Sequence, residues 1–337
     1  MKQVVITGPM ACNVAERPDP VRAANFAVVS VQYAPMCTEF HQFRDGHVTD
    51  TIGHEAAGVV VEAPDISRIR TGDRVVVMPQ NGCGKCPLCL AGEHIRCRQP
   101  IDPLTICDSL TGRATYAEKL IQQDWLLWPI PDDISTRHAS MACCGLGPTF
   151  NACETMQVGP GDTLLISGLG PVGLGAVING VIRGARVIGL ESNPYRLALA
   201  KRLGASEVLD PADEKVVNGV LDLTEGQGAD KAIEASSTET GPAVLYKSTR
   251  INGQMCTVGY GGPIRMPEFV TKGITLYGCW HWNHLKLGTR MAWALRQSKD
   301  LLDTFITHEF ALSEVEQAWK LQMTAQCGKV LLRASEG

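Results

Sequence analysis

The segment that most constrains the fold runs from Thr163 to Gly173, Thr-Leu-Leu-Ile-Ser-Gly-Leu-Gly-Pro-Val-Gly, and sets a G-x-G-x-x-G between a short apolar run and a helix-like one. In such a loop Gly168 permits the tight turn, Gly170 lets backbone approach a pyrophosphate, and Gly173 lets helix and strand pack closely. The helix N-terminus then faces the negative charge. Alone the motif is weak, and its setting gives it weight. Residues 172–182 read as the helix and 185–190 as the next strand, with Glu191 at that strand's end. A carboxylate at this spacing accepts hydrogen bonds from a ribose 2′-hydroxyl and repels a 2′-phosphate, which favours NAD over NADP. Arg196 lies close enough in sequence to weaken that preference; its other reading is a solvated arginine on the next helix.

The alternation continues with a helix at 194–203, a strand near 207–209, a helix around 214–223 and a strand at 229–234. Repeated β and α of this kind imply a parallel sheet with helices on both faces. The first 145 or so residues read differently. Short β-like runs at 26–31, 58–62, 73–77 and 116–121, set between Gly, Pro and Asp, suggest a mainly β domain with a partly closed barrel. From about Cys279 come helices at 285–297 and 314–324, then the apolar run 329–333. At 337 residues the chain is long enough for two domains.

A net charge of −4 leaves no electrostatic footprint for nucleic acid or an anionic membrane, so a small molecule is the expected partner. The N-terminal apolar stretch is too short for a signal sequence and no segment is long and apolar enough to span a bilayer, so a soluble cytoplasmic protein is expected. Thirteen cysteines then make sense as thiols and metal ligands.

Four of them, Cys83, Cys86, Cys89 and Cys97, follow a C-x-x-C-x-x-C-x7-C spacing. Two C-x-x-C steps bend a short loop so that three thiolates point inward, and the fourth returns to complete a tetrahedron around Zn²⁺. Four thiolates leave no open position, so this site is a structural clamp. A second constellation is spread over Met36-Cys-Thr-Glu-Phe-His41, His54-Glu55 and Cys143-Cys144. Two cysteines and one histidine would leave a fourth zinc position for water or substrate, as a catalytic Lewis acid requires.

Together these residues resemble the zinc-dependent medium-chain alcohol and polyol dehydrogenases over nearly the whole chain. The likeness rests on Gly53-His-Glu-Ala-Ala-Gly58, the Cys83 to Cys97 lobe, Gly168 to Gly173, Asn193-x-x-Arg-Leu-x-x-Ala-Lys-x-Leu-Gly-Ala205 and Gly328-Lys-Val-Leu-Leu332. It implies an α/β two-domain fold. A mainly β, GroES-like catalytic domain would comprise residues 1–148 and 281–337, with its zinc lobe at 81–98, and a Rossmann doubly wound parallel sheet would occupy 149–280. Homodimers or homotetramers are usual in the family. The implied activity interconverts an alcohol (a secondary alcohol, polyol, sugar or cyclitol hydroxyl) and its ketone or aldehyde by hydride transfer with NAD.

Residue by residue, the resemblance makes Cys37, His54 and Cys144 the catalytic zinc ligands, with Glu55 behind them or as an alternate ligand. Cys144 stands where polyol-type relatives carry glutamate. Thr38 and His41 would form a proton relay, and Lys329 matches a basic position that approaches the cofactor phosphates. Gly168, Gly170, Pro171, Val172, Gly173, Glu191 and Arg196 would hold the dinucleotide. The loop after the first ligand is one residue shorter than the family's Cys-Gly-(Thr/Ser)-Asp-x-His, so two registers are open, with Cys37 or Met36 at the metal. A thiolate binds zinc and a thioether barely does, which favours Cys37.

In the family, the segment Trp280-His-Trp-Asn-His284 borders the nicotinamide side of the cleft, where Trp280, Trp282 and Asn283 would suit a hydroxyl-rich ring. Its other reading is an aromatic cluster at a domain or subunit interface. Two rival functions stand beside this one. The Met36 register would fit a zinc-free reductase of activated double bonds, and a binding protein could keep the fold without turnover.

Overall fold

Two sheets carry the architecture, and the chain leaves one, builds the other and returns. The computed structural model describes residues 1–264 and 266–335, without the side chain of residue 268. The first sheet takes β3 (Phe26–Pro35), β4 (Ala56–Glu62), β5 (Arg74–Val77), β6 (Lys119–Gln123) and β7 (Leu127–Pro129) from the front of the chain, with β14 (Ile306–Ala311) and β15 (Lys329–Arg333) from its end. Their order is β14-β15-β3-β4-β5-β7, with β6 also paired to β3. β15 runs antiparallel to β3, with Leu331 opposite Pro35 and Arg333 opposite Tyr33, so the last strand is laid against one of the first. A separate hairpin, β1 (Lys2–Gly8) with β2 (Ala11–Glu16), precedes this sheet. The sequence reading did not include it, and its strand at 116–121 lies at 119–123 in the structure.

The second sheet holds β8 (Thr163–Ser167), β9 (Arg186–Leu190), β10 (Glu207–Leu209), β11 (Ala229–Glu234), β12 (Thr249–Thr257) and β13 (Thr275–Gly278). All its pairings are parallel, in the order β10-β9-β8-β11-β12-β13. Leu164, Leu165 and Ile166 are fully buried, as a central parallel strand with helices on both faces requires. The order reverses between β8 and β11, and ligands of such sheets bind at the carboxyl ends of the strands beside that reversal. The glycine loop leaves β8 at this point. Gly168 has φ +83°, and a Cβ on Gly173 would stand 1.8 Å from the Gly168 carbonyl oxygen, so neither position accepts a side chain.

One apolar cluster joins the two sheets. Ala57, Val76 and Trp128 of the first pack in it with Phe150, Leu164, Ile178, Trp282, Met291 and Phe305. Trp282 is its wedge: only 2% exposed, it meets the Trp128 and Phe150 rings edge-on at 5.5 and 5.8 Å between centroids. Its indole N–H donates to the Ala142 carbonyl at 2.7 Å. Among the described residues, no helix is long and apolar enough to cross a membrane.

Removing this wedge should be costly. Trp282→Ala leaves a cavity and an unpaired carbonyl, and is expected to lower stability by about 3–5 kcal/mol in urea unfolding followed by tryptophan fluorescence. A loss below about 1 kcal/mol would contradict a core role.

Candidate metal centres and dinucleotide cleft

The four-cysteine lobe folds around its own sulfurs. Cys86 caps the short helix Pro87–Leu90, its Sγ accepting the Cys89 N–H, and Gly84 turns the chain at φ +74°. Cys83 and Cys89 sulfurs are 3.9 Å apart, as are those of Cys86 and Cys97. Four thiolates at zinc bond lengths of about 2.3 Å stand about 3.8 Å from one another, so the spacing fits the ion. Backbone N–H groups also point at the sulfurs. Cys97 Sγ accepts from Cys83 at 3.3 Å and from Gln99 at 3.4 Å, and backbone N–H bonds from Lys85 and Cys86 draw the Cys83 thiol down to about 6. All thirteen cysteines are free of disulfides.

The second cluster is assembled from three segments. Cys37 follows β3, His54 and Glu55 immediately precede β4, and Cys144 lies between a helical turn and the helix Gly147–Met156. One ligand atom from each of Cys37, His54, Glu55 and Cys144 lies within 4.8 Å of all the others. His54 Nε2 is 3.2 Å from Cys144 Sγ. Met36, the alternative in the shortened loop, is fully buried in the apolar core of the first sheet.

Carboxylates brace this cluster. Glu39, which the sequence reading did not single out, is 4% exposed; its Oε1 lies 2.5 Å from His54 Nδ1 and its Oε2 accepts the Cys37 N–H at 2.9 Å. One side chain therefore fixes two ligand residues. Burial would raise the Glu39 carboxyl, but His54 and nearby N–H groups outweigh it and hold it at about 2. Burial works against charge on His54 too, yet Glu39, Cys37 and Glu55 push it up to about 11. The surroundings thus favour positive charge at this spot. Two thiols, an imidazole and flanking carboxylates are the donors zinc prefers, so the residues fit the ion.

Glu55 is completely buried, with Oε2 accepting the Cys144 N–H at 2.9 Å and Oε1 accepting from Lys329 Nζ at 2.7 Å. Lys329 was expected at the cofactor phosphates. The structure instead buries it fully and pairs it with Glu55, because β15 carries its first residue beneath the metal cluster.

Thr38 and His41 are both exposed; Thr38 stands two residues before the short helix Phe40–Asp45, and His41 is inside it, its N–H bonding the Thr38 carbonyl at 3.0 Å. His281, also outside the sequence reading, is buried beside the cluster with Nε2 3.9 Å from Cys144 Sγ. Burial and the nearby His54 press its pKa down to about 3, so it is a neutral imidazole. Of the residues expected to face substrate, Trp280 is 47% exposed, whereas Trp282 is in the core. Asn283 caps the helix His284–Gln297 by accepting the Lys286 N–H, and its amide donates to the Ala91 carbonyl at 2.9 Å. Both have structural partners.

At the other site, Gly168, Gly170, Glu191, Arg196, Thr238 and Thr240 line a cleft of about 440 Å³. Gly170 caps the helix Pro171–Val181, with Pro171 at its first position and Val172 and Gly173 in its first turn. Glu191 Oε2 accepts the Leu169 N–H at 3.0 Å, while Oε1 accepts those of Ser192 and Asn193. Arg196 Nη1 lies 3.9 Å from Glu191, and its buried Nε has no partner among the described residues. Loop, carboxylate and unpartnered guanidinium N–H fit a dinucleotide.

Comparison with known proteins agrees with this arrangement. The zinc-binding dehydrogenase model matches residues 171–296 and the alcohol dehydrogenase GroES-like domain model matches residues 23–132. An L-threonine 3-dehydrogenase of Pyrococcus horikoshii is 30% identical over 289 residues, covering 83% of this chain and 80% of its own. YphC of Escherichia coli K12, named an uncharacterized zinc-type alcohol dehydrogenase-like protein, is 31% identical over 303 residues with the same coverage. The alcohol dehydrogenase of Thermus sp. ATN1 shares the fold with a TM-score of 0.88 at 24% identity, covering 99% of both chains. On this identity and coverage, the chain belongs to the zinc-dependent medium-chain alcohol dehydrogenase family, oxidoreductases that act on CH–OH groups.

Proposed function

We propose that this chain interconverts a small polar secondary alcohol and its ketone at the Cys37, His54 and Cys144 cluster, exchanging hydride with NAD. One observation carries the reading. Gly145, the residue after Cys144, packs backbone to backbone on the helix that the glycine loop launches: a Cβ on Gly175 would stand 1.9 Å from the Gly145 carbonyl oxygen. The segment that carries Cys144 is thus packed directly on the helix that follows the dinucleotide loop, the proximity that hydride transfer needs.

When bound, zinc supplies Lewis acidity toward an alcohol oxygen and NAD supplies the hydride acceptor. The chain's own residues do the rest. Glu39 and Glu55 orient His54 and Cys144, and Lys329 keeps Glu55 in place. Thr38 Oγ1 relays the hydroxyl proton, accepting it as it gives up its own toward His41, and His41, exposed at the surface, releases a proton to water. The zinc-free reductase reading needs Met36 at the site, and Met36 lies in the core. Several relatives are named L-threonine 3-dehydrogenase, which supports a small polar alcohol as substrate.

The division into residues 1–148 with 281–337 and residues 149–280 belongs to this reading, as does a cytoplasmic location, which the free thiols favour. So does a homodimer or homotetramer. β13 is an open sheet edge with Leu276 exposed, and Ile251, Tyr260 and Val270 are exposed apolar side chains nearby in sequence. Light scattering is expected to give a multiple of 36.4 kDa; a monomer at micromolar concentration would count against this edge as an interface.

Two further measurements test the core of the proposal. A panel of alcohols, polyols, sugars and amino alcohols, followed by absorbance of the reduced cofactor, should show turnover with NAD at least about tenfold better in kcat/KM than with NADP. Glu191→Ala, which leaves Arg196 free for a 2′-phosphate, should narrow that ratio; no turnover across the panel rejects the function. Metal analysis should give about two zinc per chain in the wild type, about one in Cys37→Ala, and a roughly 10–100-fold weaker second zinc in Glu39→Ala. Full zinc retention by Cys37→Ala would remove Cys37 from the site.

A further inference from the structure

Against His54 lies a cavity of about 230 Å³, walled by Thr51, His54, Gln80, Arg113 and Thr115 among others. That is room for about eight waters. His54 is the residue whose Nε2 meets Cys144, so the cavity opens on an imidazole of the metal cluster. Its wall contains two buried polar atoms that have no partner among the described residues. Gln80 is 6% exposed with Oε1 unbonded, and Thr115 is 5% exposed with Oγ1 unbonded. Such atoms are rare in folded proteins, because water gave them hydrogen bonds that the fold must replace.

Local structure explains why these two stay free. The Gln80 backbone is fully used, its N–H bonding the Met78 carbonyl and its carbonyl accepting Gln122 Nε2, which fixes the chain and leaves the amide to face the cavity. Thr115 is drawn in by Gly53: a Cβ there would lie 2.3 Å from Thr115 Oγ1, so only glycine before His54 lets this hydroxyl approach the ligand loop. At the mouth stands Arg113, about half exposed. Its nearest carboxylate is Asp102 at 4.0 Å, and the Asp102 oxygens already accept the Leu104 N–H and the Thr105 hydroxyl. The guanidinium keeps N–H donors free for a planar anion.

We propose that this cavity selects a small alcohol bearing two further groups: a carboxylate, held by Arg113 at the mouth, and a hydrogen-bond donor next to the carbinol, received by Gln80 Oε1. Thr115 supplies a hydroxyl between them that donates or accepts as needed. The assignment rests on the reading of His54 as part of the reacting centre. It goes further by stating what surrounds the reacting carbon. A site built around such bonds discriminates strongly against molecules that lack them, because its buried polar atoms are then left unpaired.

Four alcohols separate the two recognition elements. Threonine carries carboxylate and donor, 3-hydroxybutyrate the carboxylate alone, butane-2,3-diol the donor alone, and butan-2-ol neither. With zinc-loaded enzyme and NAD, kcat/KM should fall about tenfold or more for each missing group, mainly through KM. Arg113→Gln should erase the advantage of carboxylate-bearing compounds, and Arg113→Lys should restore part of it. Gln80→Leu should erase the advantage of the donor group alone. Calorimetric titration of the four compounds, which reads binding without turnover, should give the same order. Equal or better use of butan-2-ol, or substrate ratios unmoved in Arg113→Gln and Gln80→Leu, overturns the proposal. Turnover confined to alcohols outside this set overturns the pocket while leaving the dehydrogenase reading intact; no turnover of any alcohol removes both.

Discussion

The buried pair of Lys329 and Glu55 is the contact on which the rest of the site depends. Both side chains are fully buried, and every strong partner of Glu55 serves the metal cluster: Oε2 takes the Cys144 N–H and Oε1 takes Lys329 while facing His54 at 3.9 Å. Burial works against charge on Lys329, but Glu55, Cys37 and Cys144 outweigh it and raise its pKa. A buried ion pair is seldom a net gain over packed hydrocarbon, and losing one partner is worth several kcal/mol because the other is left charged and alone. Its presence here is better understood as a positioning device. It ties the first residue of the last strand to a loop from the front of the chain and sets the charge balance around two thiols, an imidazole and Glu39.

What the sequence made legible follows from the range of the interactions involved. The glycine loop, the lobe cysteines and the first four strands of the parallel sheet are each specified within a dozen residues, and they stand in the structure within a residue or two of their expected bounds, whereas β12 and β13 had no bounds assigned. Lys329, Trp282 and Asn283 were placed by analogy at ligand-facing positions, but their surroundings are made by residues 140–274 positions distant in the chain. No local pattern reports that. The N-terminal hairpin lacked a signal for a different reason: its turn holds Met10 at φ 55°, a conformation for which glycine or asparagine would be the sequence mark.

Glu39 shows how a departure from the family pattern is absorbed. Where relatives place aspartate three residues after the cysteine ligand, this chain has glutamate two residues after it. In this shorter loop one Glu39 oxygen reaches His54 Nδ1 while the other holds the Cys37 N–H. The carboxylate was visible in the sequence, but its meaning required the distance.

The zinc lobe, although it has no part in the chemistry, also bears on the cleft. The chain crosses between the sheets twice, through 143–156 and through 279–284, and each crossing carries a residue of the metal centre's surroundings, Cys144 in one and His281 in the other. The second crossing is short and has no regular structure of its own before the helix at His284. It is held by the lobe, since Asn283 donates to Ala91 of the lobe while capping the helix, and the His284 ring bonds the Trp125 carbonyl and faces His94 at 5.6 Å. Trp282 anchors the same segment on the core side. A lobe that lost its zinc would therefore loosen the segment that places His281 beside Cys144, which gives the structural metal an influence on the catalytic one through packing alone.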